Sequence, residues 1–166
     1  MINEKMQNAM NEQIKHELDS AYLYLSMAAY FHGLNLDGMA QWMRVQGMEE
    51  EVHAMKFFDH INEREGRIAL KALAQPQTEW SSPLDAFKAA YKHEQFISGK
   101  INDLVKLAND TGDYPALPML NWFTTEQIEE EASASKVAKN LERVGTSGAG
   151  LVMLDKELGK RTFTAA

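Results

Sequence analysis

Apolar residues recur along most of this chain at intervals of three and four, the spacing that places side chains on one face of an α-helix. Glycine or proline stands at most of the breaks in this pattern, and Ser82-Pro83 combines a helix N-cap with proline at the first helical position. Between residues 67 and 82 the periodicity lapses. The pattern predicts an all-α chain with helices over about residues 3–33, 37–66, 83–112, 115–145 and 147–158.

The lengths of the links between the helices predict how the helices are arranged. The links at 33–37 and 112–115 are too short to do anything but turn a helix back along its predecessor. A 16-residue link over 67–82 reaches about 53 Å when extended, whereas a 30-residue helix is about 45 Å long. We therefore expect residues 1–166 to form one domain, an antiparallel four-helix bundle with a long crossover between helices two and three and a short fifth helix.

Each of the four long helices carries polar side chains within its otherwise apolar stripe. A glutamate is rarely buried unless something pairs with it, so inward-facing glutamates require an explanation. The predicted inward stripes are Met10, Ile14, Glu17, Ala21, Tyr24 and Ala28 in helix one; Met39, Met43, Gln46, Glu50, His53 and Phe57 in helix two; Phe87, Tyr91, Glu94, Ser98, Ile101, Val105 and Ala108 in helix three; and Leu120, Phe123, Gln127, Glu130, Ala134, Val137 and Leu141 in helix four.

The polar members of these stripes are expected to lie at one depth in the bundle. Counted from the end where helix one begins, they fall within about six residues, or roughly 9 Å along the axis. Four carboxylates buried together would repel one another and take up protons, whereas two divalent cations would balance their charge. The residues concerned are Glu17, Glu50, His53, Glu94, Gln127 and Glu130.

The residue types indicate which metals such a site would take. Glu50 and His53 stand three positions apart on one helix face and offer a carboxylate and an imidazole. Oxygen ligands with a single imidazole and no sulfur suit iron or manganese, although zinc would also bind. A carboxylate that bridges two metals about 4 Å apart leaves positions open for oxygen chemistry. Alone, the short E-x-x-H pattern favours a hydrogen-bonded pair in the core over a metal site.

An internal repeat supports the same site. Lys15-His16-Glu17 recurs as Lys92-His93-Glu94, an offset of 77 that also carries Glu50 to Gln127 and His53 to Glu130. The two helical hairpins would then be copies of one unit that surround a point with ligands related by a pseudo-twofold axis. The alternative is coincidence, because three-residue identities are common.

The amino-acid composition excludes several kinds of site and argues against several kinds of partner. The chain has no cysteine, which excludes disulfides, thiolate metal sites and cysteine nucleophiles. Its net charge of −7 argues against binding to nucleic acid or to anionic membranes and is compatible with binding cations. No stretch has the apolar length of a signal peptide or a membrane span, so a cytoplasmic protein is expected.

Taken as a set, these residues resemble those of the bacterial non-haem ferritins over essentially the whole chain. The resemblance implies a first iron at Glu17, Glu50 and His53, with Glu50 bridging to a second iron. The matching residues are Glu17, Tyr24, Glu49-Glu50, His53, Lys92-His93-Glu94, Glu126-Gln127, Glu129-Glu130 and Asp155-Lys156-Glu157-Leu158.

The same resemblance assigns the remaining residues. Glu94 and Glu130 would hold the second iron with Gln127 adjacent, and Tyr24 would serve as hydrogen-bond or redox partner of the pair. A third iron site would comprise Glu130 and three outer acids, which otherwise read as a solvated acidic face. These acids are Glu49, Glu126 and Glu129.

At two positions the sequence differs from related di-iron families, and both differences argue against a haem-bearing bacterioferritin. Helix four reads Gln127-x-x-Glu130 where bacterioferritins and di-iron oxidases have a second E-x-x-H, and Glu51 stands where bacterioferritins carry their haem-binding methionine. A haem-free iron-storage ferroxidase is therefore expected. The resemblance implies that it oxidises Fe(II) with dioxygen or peroxide in a shell of 24 subunits. The fifth helix is expected to pack at a symmetry axis, because it has too small a core of its own to stand free. The alternatives are a di-iron oxidase or peroxidase that stores nothing, and a metal-free structural bundle.

Overall fold

The computed structural model describes residues 1–164, and their regular structure is entirely helical. A short 3-10 turn, Tyr114–Ala116, leads into the fourth helix. The helices are α1 Glu4–Gly33, α2 Asp37–Glu63, α3 Pro83–Thr111, α4 Leu117–Val144 and α5 Gly148–Leu158.

Local side chains explain where several helices begin and end. The Ser82 hydroxyl accepts a hydrogen bond from the Asp85 N–H at 3.1 Å and caps α3. Gly112 ends that helix in the left-handed region, with a φ of 67°. Helix α2 ends at Glu63, three residues before the glycine at which the pattern predicted its end. There Glu65 takes a φ of 57° and the Gly66 N–H bonds back to the Ile61 carbonyl at 2.9 Å, a Schellman ending without a central glycine.

The predicted four-helix bundle with a crossover is confirmed. Helix α1 packs along α2, α3 packs along α4, and α1 also contacts α3. The irregular segment 64–82 follows α1 in the same direction. Near its start the Arg67 N–H donates to Gln7 Oε1 at 2.7 Å, and farther along the Gln77 carbonyl accepts from the Ser26 hydroxyl at 2.7 Å. The segment therefore returns the chain along the bundle, and α3 runs parallel to α2.

The apolar core is divided into two clusters that lie on either side of the polar layer. One cluster contains Phe31 and Phe87, whose ring centroids are 5.5 Å apart. The other contains Phe57 and Phe123, whose rings stack at 4.4 Å. Because each cluster excludes water from one side, the polar side chains between them are enclosed along the bundle axis.

The predicted inward stripe of α3 needs correction at three positions. Tyr91, Ser98 and Val105 are only half-buried, and the apolar residues next to each of them point inward instead. The α3 face is turned by one residue at these positions, so that Tyr91, Ser98 and Val105 flank the helix contact instead of filling it. The fully inward residues are Ala90, Ile97 and Leu104.

Helix α5 docks across the start of α2 and the end of α4. The Asp155 carboxylate accepts a hydrogen bond from the Met39 N–H at 2.8 Å. A Cβ atom on Gly38 would overlap the main-chain carbonyl of Asp155, so glycine is what allows this close approach. On the opposite face Met153 is 73% exposed. Within residues 1–164 no helix has the length and apolar character needed to span a membrane.

Candidate metal centre

Five ionisable side chains from the four long helices meet between the two apolar clusters. Glu17, Glu50 and His53 form one trio, and Glu50, Glu94 and Glu130 form another. Within each trio the candidate ligand atoms lie within 4.8 Å of one another. All five side chains are at most 5% exposed. Glu50 belongs to both trios, so a single carboxylate lies between two potential cation positions.

Hydrogen bonds from two amide side chains orient three of these carboxylates. Gln46 Nε2 donates to Glu50 Oε1 at 3.0 Å and to Glu130 Oε2 at 2.5 Å. Gln13 Nε2 donates to Glu17 Oε1 at 2.8 Å, from one helical turn away on α1. The other oxygen of Glu17 is buried and has no hydrogen-bond partner among residues 1–164. An unpaired buried carboxylate oxygen fits a cation ligand, because leaving it without any partner is costly.

Glu94 is held from two sides. The Tyr24 hydroxyl donates to its Oε1, and Gln127 Nε2 donates to its Oε2 at 3.2 Å. Gln127 also lies within 3.3 Å of the Ser98 hydroxyl. The structure thus places both Tyr24 and Gln127 against Glu94, where their hydrogen bonds fix the orientation of its carboxylate.

Burial and mutual repulsion keep most of these acids protonated when no cation is present. Burial, followed by the charge of Glu50, raises the pKa of Glu17 to about 8 and that of Glu130 to about 8. The same two effects raise the pKa of Glu94 well above its ordinary value. Burial and the charge of Glu94 likewise raise the pKa of Tyr24, so its hydroxyl keeps its proton.

Glu50 and His53 behave as an ion pair. His53 Nδ1 lies 3.1 Å from Glu50 Oε2. Burial disfavours the imidazolium, but the hydrogen bond and charge of Glu50 outweigh it and raise the pKa of His53 to about 10. Burial also opposes the charge of Glu50, yet the hydrogen bond and charge from His53 bring its pKa below the ordinary value.

The cation-free centre is therefore close to neutral, with one carboxylate and one imidazolium charged. Four carboxylates and a neutral His53 would be equally neutral around two divalent cations. The donor set thus fits two divalent ions that take the place of protons.

The outer acids are not brought together as one group. Glu126 lies with His53 and Glu130 in a third trio, again within 4.8 Å. Glu49 is half-buried and pairs instead with Arg161, from the tail after α5. Glu129 is exposed and belongs to none of the ligand trios formed by residues 1–164.

Three residues near the centre were not identified from the sequence. Gln13 could have been found, because it lies four residues before Glu17 on the same helix face. His93 is part of the repeat, but its contacts could not be read from it: its ring meets the edge of Tyr24 at 6.2 Å, and its Nε2 lies 2.7 Å from the Ser20 hydroxyl. The position of Arg161 could not be predicted, because the residues after α5 have no helical periodicity.

Comparisons with known proteins find relatives over nearly the whole chain. Residues 7–144 match the Ferritin family, described as a ferritin-like domain. The chain is 36% identical over 163 residues to a bacterial non-heme ferritin of Staphylococcus saprophyticus, covering 98% of each chain. A bacterial non-heme ferritin of Staphylococcus aureus is 34% identical over the same length, again with 98% of each chain covered.

Solved structures give closer relatives. An engineered closed form of the Archaeoglobus fulgidus ferritin is 48% identical and superposes with a TM-score of 0.98, covering 99% of this chain and 100% of the other. The open-pore ferritin of the same archaeon is 47% identical, with a TM-score of 0.96 over 97% of this chain and 98% of its own.

Proposed function

Because this chain belongs to the ferritin family, we propose that it stores iron and oxidises Fe(II) as the iron enters, which makes it a ferroxidase. The observation that carries the proposal is the shared position of Glu50, which lies in both ligand trios. A carboxylate that bridges two ferrous ions brings them close enough to deliver electrons to one oxidant molecule.

The proposed roles follow from the contacts. Glu17, Glu50 and His53 hold the first Fe(II), and Glu94 and Glu130 hold the second against the bridging Glu50. The ligands release their protons as iron binds, and Gln46 keeps Glu50 and Glu130 aligned. Dioxygen or peroxide accepts one electron from each iron, and Fe(III) moves on to a mineral.

Tyr24 supports the second position through its hydrogen bond to Glu94. Glu126 lies next to His53 and Glu130 and is the outer acid best placed to receive a further iron. Glu129 points to solvent, so we assign it no direct role at the dinuclear pair. Gln127 acts on Glu94 through its amide N–H.

An anaerobic Fe(II) titration tests the assignment. The wild-type chain is expected to bind two strong equivalents per subunit, and Glu94→Ala should empty mainly the second position. Glu129→Ala is the matched control, since it removes an exposed acid from a nearby turn of α4 and should leave both equivalents in place. Two strong equivalents in Glu94→Ala would refute the ligand assignment, and anomalous scattering from iron-soaked crystals would locate the ions.

A storage role requires an enclosed assembly, and we propose a shell of 24 copies in the cytoplasm. Twenty-four chains of 18.8 kDa give a particle of about 450 kDa. Light scattering coupled to gel filtration measures this mass directly. A monomer or dimer would instead favour a di-iron oxidase that stores no iron.

A further inference from the structure

We propose that Ser98 and Glu131 are positioning residues for the second cation position of the centre. They act on the Glu94 carboxylate through the amide of Gln127, and neither of them serves as a ligand. The proposal rests on the proposed function, because the second position is one of the two assigned there.

Four side chains on the facing sides of α3 and α4 form one hydrogen-bonded group. Glu94 and Ser98 stand four residues apart on α3, and so share a face of that helix. Gln127 and Glu131 have the same spacing on α4. The Ser98 hydroxyl donates to Glu131 Oε1 at 2.5 Å, and Gln127 Nε2 lies 3.3 Å from the Ser98 oxygen. The group therefore connects a carboxylate outside the metal centre to a ligand within it.

The direction of these hydrogen bonds determines how the Gln127 amide is held. Because the Ser98 proton points to Glu131, the Ser98 oxygen accepts one N–H of Gln127. The other N–H is directed to Glu94, whose carbonyl oxygen and Oε2 both lie 3.2 Å from Nε2. A hydroxyl that donates to a carboxylate is also a better acceptor, since hydrogen bonds in a chain polarise one another. Glu131 thus strengthens the hold on Gln127 through Ser98.

The arrangement prepares Glu94 for a cation. A carboxylate oxygen has two lone pairs, so Oε2 accepts from Gln127 and still has a lone pair to offer. The Tyr24 hydroxyl donates to the other oxygen, Oε1. A carboxylate that is already held on both oxygens loses little rotamer freedom when a cation binds. Glu17 is oriented by Gln13 instead, so the first position should not depend on Ser98.

A neighbouring hydroxyl provides a matched control. Ser98, Gln127, Glu131 and Thr124 all line a cavity of about 210 Å³ between α3 and α4. The Thr124 hydroxyl donates to the Asn121 carbonyl of its own helix at 2.8 Å, outside the chain that leads to Glu94. The cavity also leaves room for the extra methyl group of Ser98→Thr, which keeps the hydroxyl.

Zinc titration of the full assembly tests the proposal, because Zn(II) takes the same ligands and undergoes no redox change. We expect two tight equivalents in the wild type, and Glu94→Ala shows which of them belongs to the second position. Ser98→Ala should weaken that equivalent about tenfold and leave the other within about twofold. Ser98→Thr should restore the wild-type affinity, and Thr124→Val should not change it.

Double variants test whether the effect passes through Gln127. Gln127→Met keeps the length of the side chain but removes the amide, so adding Ser98→Ala to it should weaken the second equivalent no further. Glu131→Ala should weaken the same equivalent, and combining it with Ser98→Ala should cost no more than Ser98→Ala alone.

The possible outcomes separate the two proposals. An unchanged second equivalent in Ser98→Ala, an equal weakening of both equivalents, or a further tenfold loss on top of Gln127→Met would overturn the positioning role alone. Fewer than two tight equivalents in the wild type would overturn the proposed function. A crystal structure of cation-free Ser98→Ala gives a readout independent of binding, since the Gln127 amide should turn away from Glu94, and an unmoved amide would contradict the positioning role.

Discussion

At the metal centre, protons and cations compete for the same ligand atoms. Glu17, Glu94 and Glu130 hold protons near pH 7 because their pKa values are raised, and His53 is charged because its pKa is about 10. Loading two divalent ions should therefore release about four protons per subunit. Calorimetry in buffers of different ionisation enthalpy counts them. Release of fewer than two would contradict the protonation states derived from the structure.

The same pKa shifts determine how the stability of the cation-free protein depends on pH. The folded state holds protons on Glu17 and Glu130 up to about pH 8, whereas an unfolded glutamate loses its proton near 4.5. The stabilisation from His53 is complete below 6.5 and is lost as the pH rises through about 10. Both effects lower the free energy of unfolding as the pH rises from 5 to 9. Thermal melts of chelator-treated protein should show a falling Tm, and zinc should remove most of the trend; a rising Tm would contradict it.

Tyr24 is expected to matter for turnover more than for binding. Tyr24→Phe removes the hydrogen bond to Glu94 but leaves every proposed ligand in place. We expect about a tenfold slower multiple-turnover oxidation, with two Fe(II) equivalents still bound without oxygen. Tyr22→Phe on the same helix is the control, since Tyr22 is 47% exposed. Unchanged kinetics in Tyr24→Phe would argue against its role.

Residue-level prediction succeeded where helical spacing determines position. Spacing placed Glu17, Glu50 and Glu94 inward, because side chains three and four apart share a face. The helix directions predicted from the link lengths then placed these residues at one depth. It could not place the partner of Glu49, since Arg161 lies in a tail whose position depends on how α5 docks. Which amide bonds which carboxylate also depends on side-chain rotamers that no periodic pattern encodes.

At the scale of elements, the contact between α2 and α5 is set by a single glycine. Gly38→Ala would push its Cβ into the Asp155 carbonyl and separate the helices, which should cost about 1–3 kcal/mol. Gly99→Ala is the matched control, because apart from the helix's own nearby backbone nothing in residues 1–164 lies within 4 Å of its Cβ position. Alanine in that helix interior should stabilise by about 0.5–1 kcal/mol. Denaturant unfolding measures both, and equal effects would show that α5 does not depend on this contact.

Some helix boundaries could be predicted from the local sequence, and others could not. Ser82 and Gly112 were identified as helix ends from residue type, and both act locally, Ser82 through its hydroxyl and Gly112 through its left-handed backbone. The end of α2 was expected three residues too late, because the chain leaves the helix at Glu65, a non-glycine residue in the left-handed conformation, before it reaches Gly66. The turned face of α3 was missed because the packing of neighbouring helices decides between adjacent apolar residues.

At the scale of the whole molecule, the crossover could be predicted because the number of residues in a link sets the greatest distance that the link can span. A link long enough to span the bundle leaves α2 and α3 parallel, and the structure shows the segment 64–82 lying along α1. The number of subunits could not be derived in this way, since assembly depends on surfaces that the pattern of one chain does not define.

The two halves of the chain place different atoms at equivalent positions of the centre. His53 and Glu130 are 77 residues apart, as are Glu17 and Glu94. One half offers a nitrogen where the other offers an oxygen. Two ferrous ions bound here would therefore be chemically unequal, and each would give its own Mössbauer doublet.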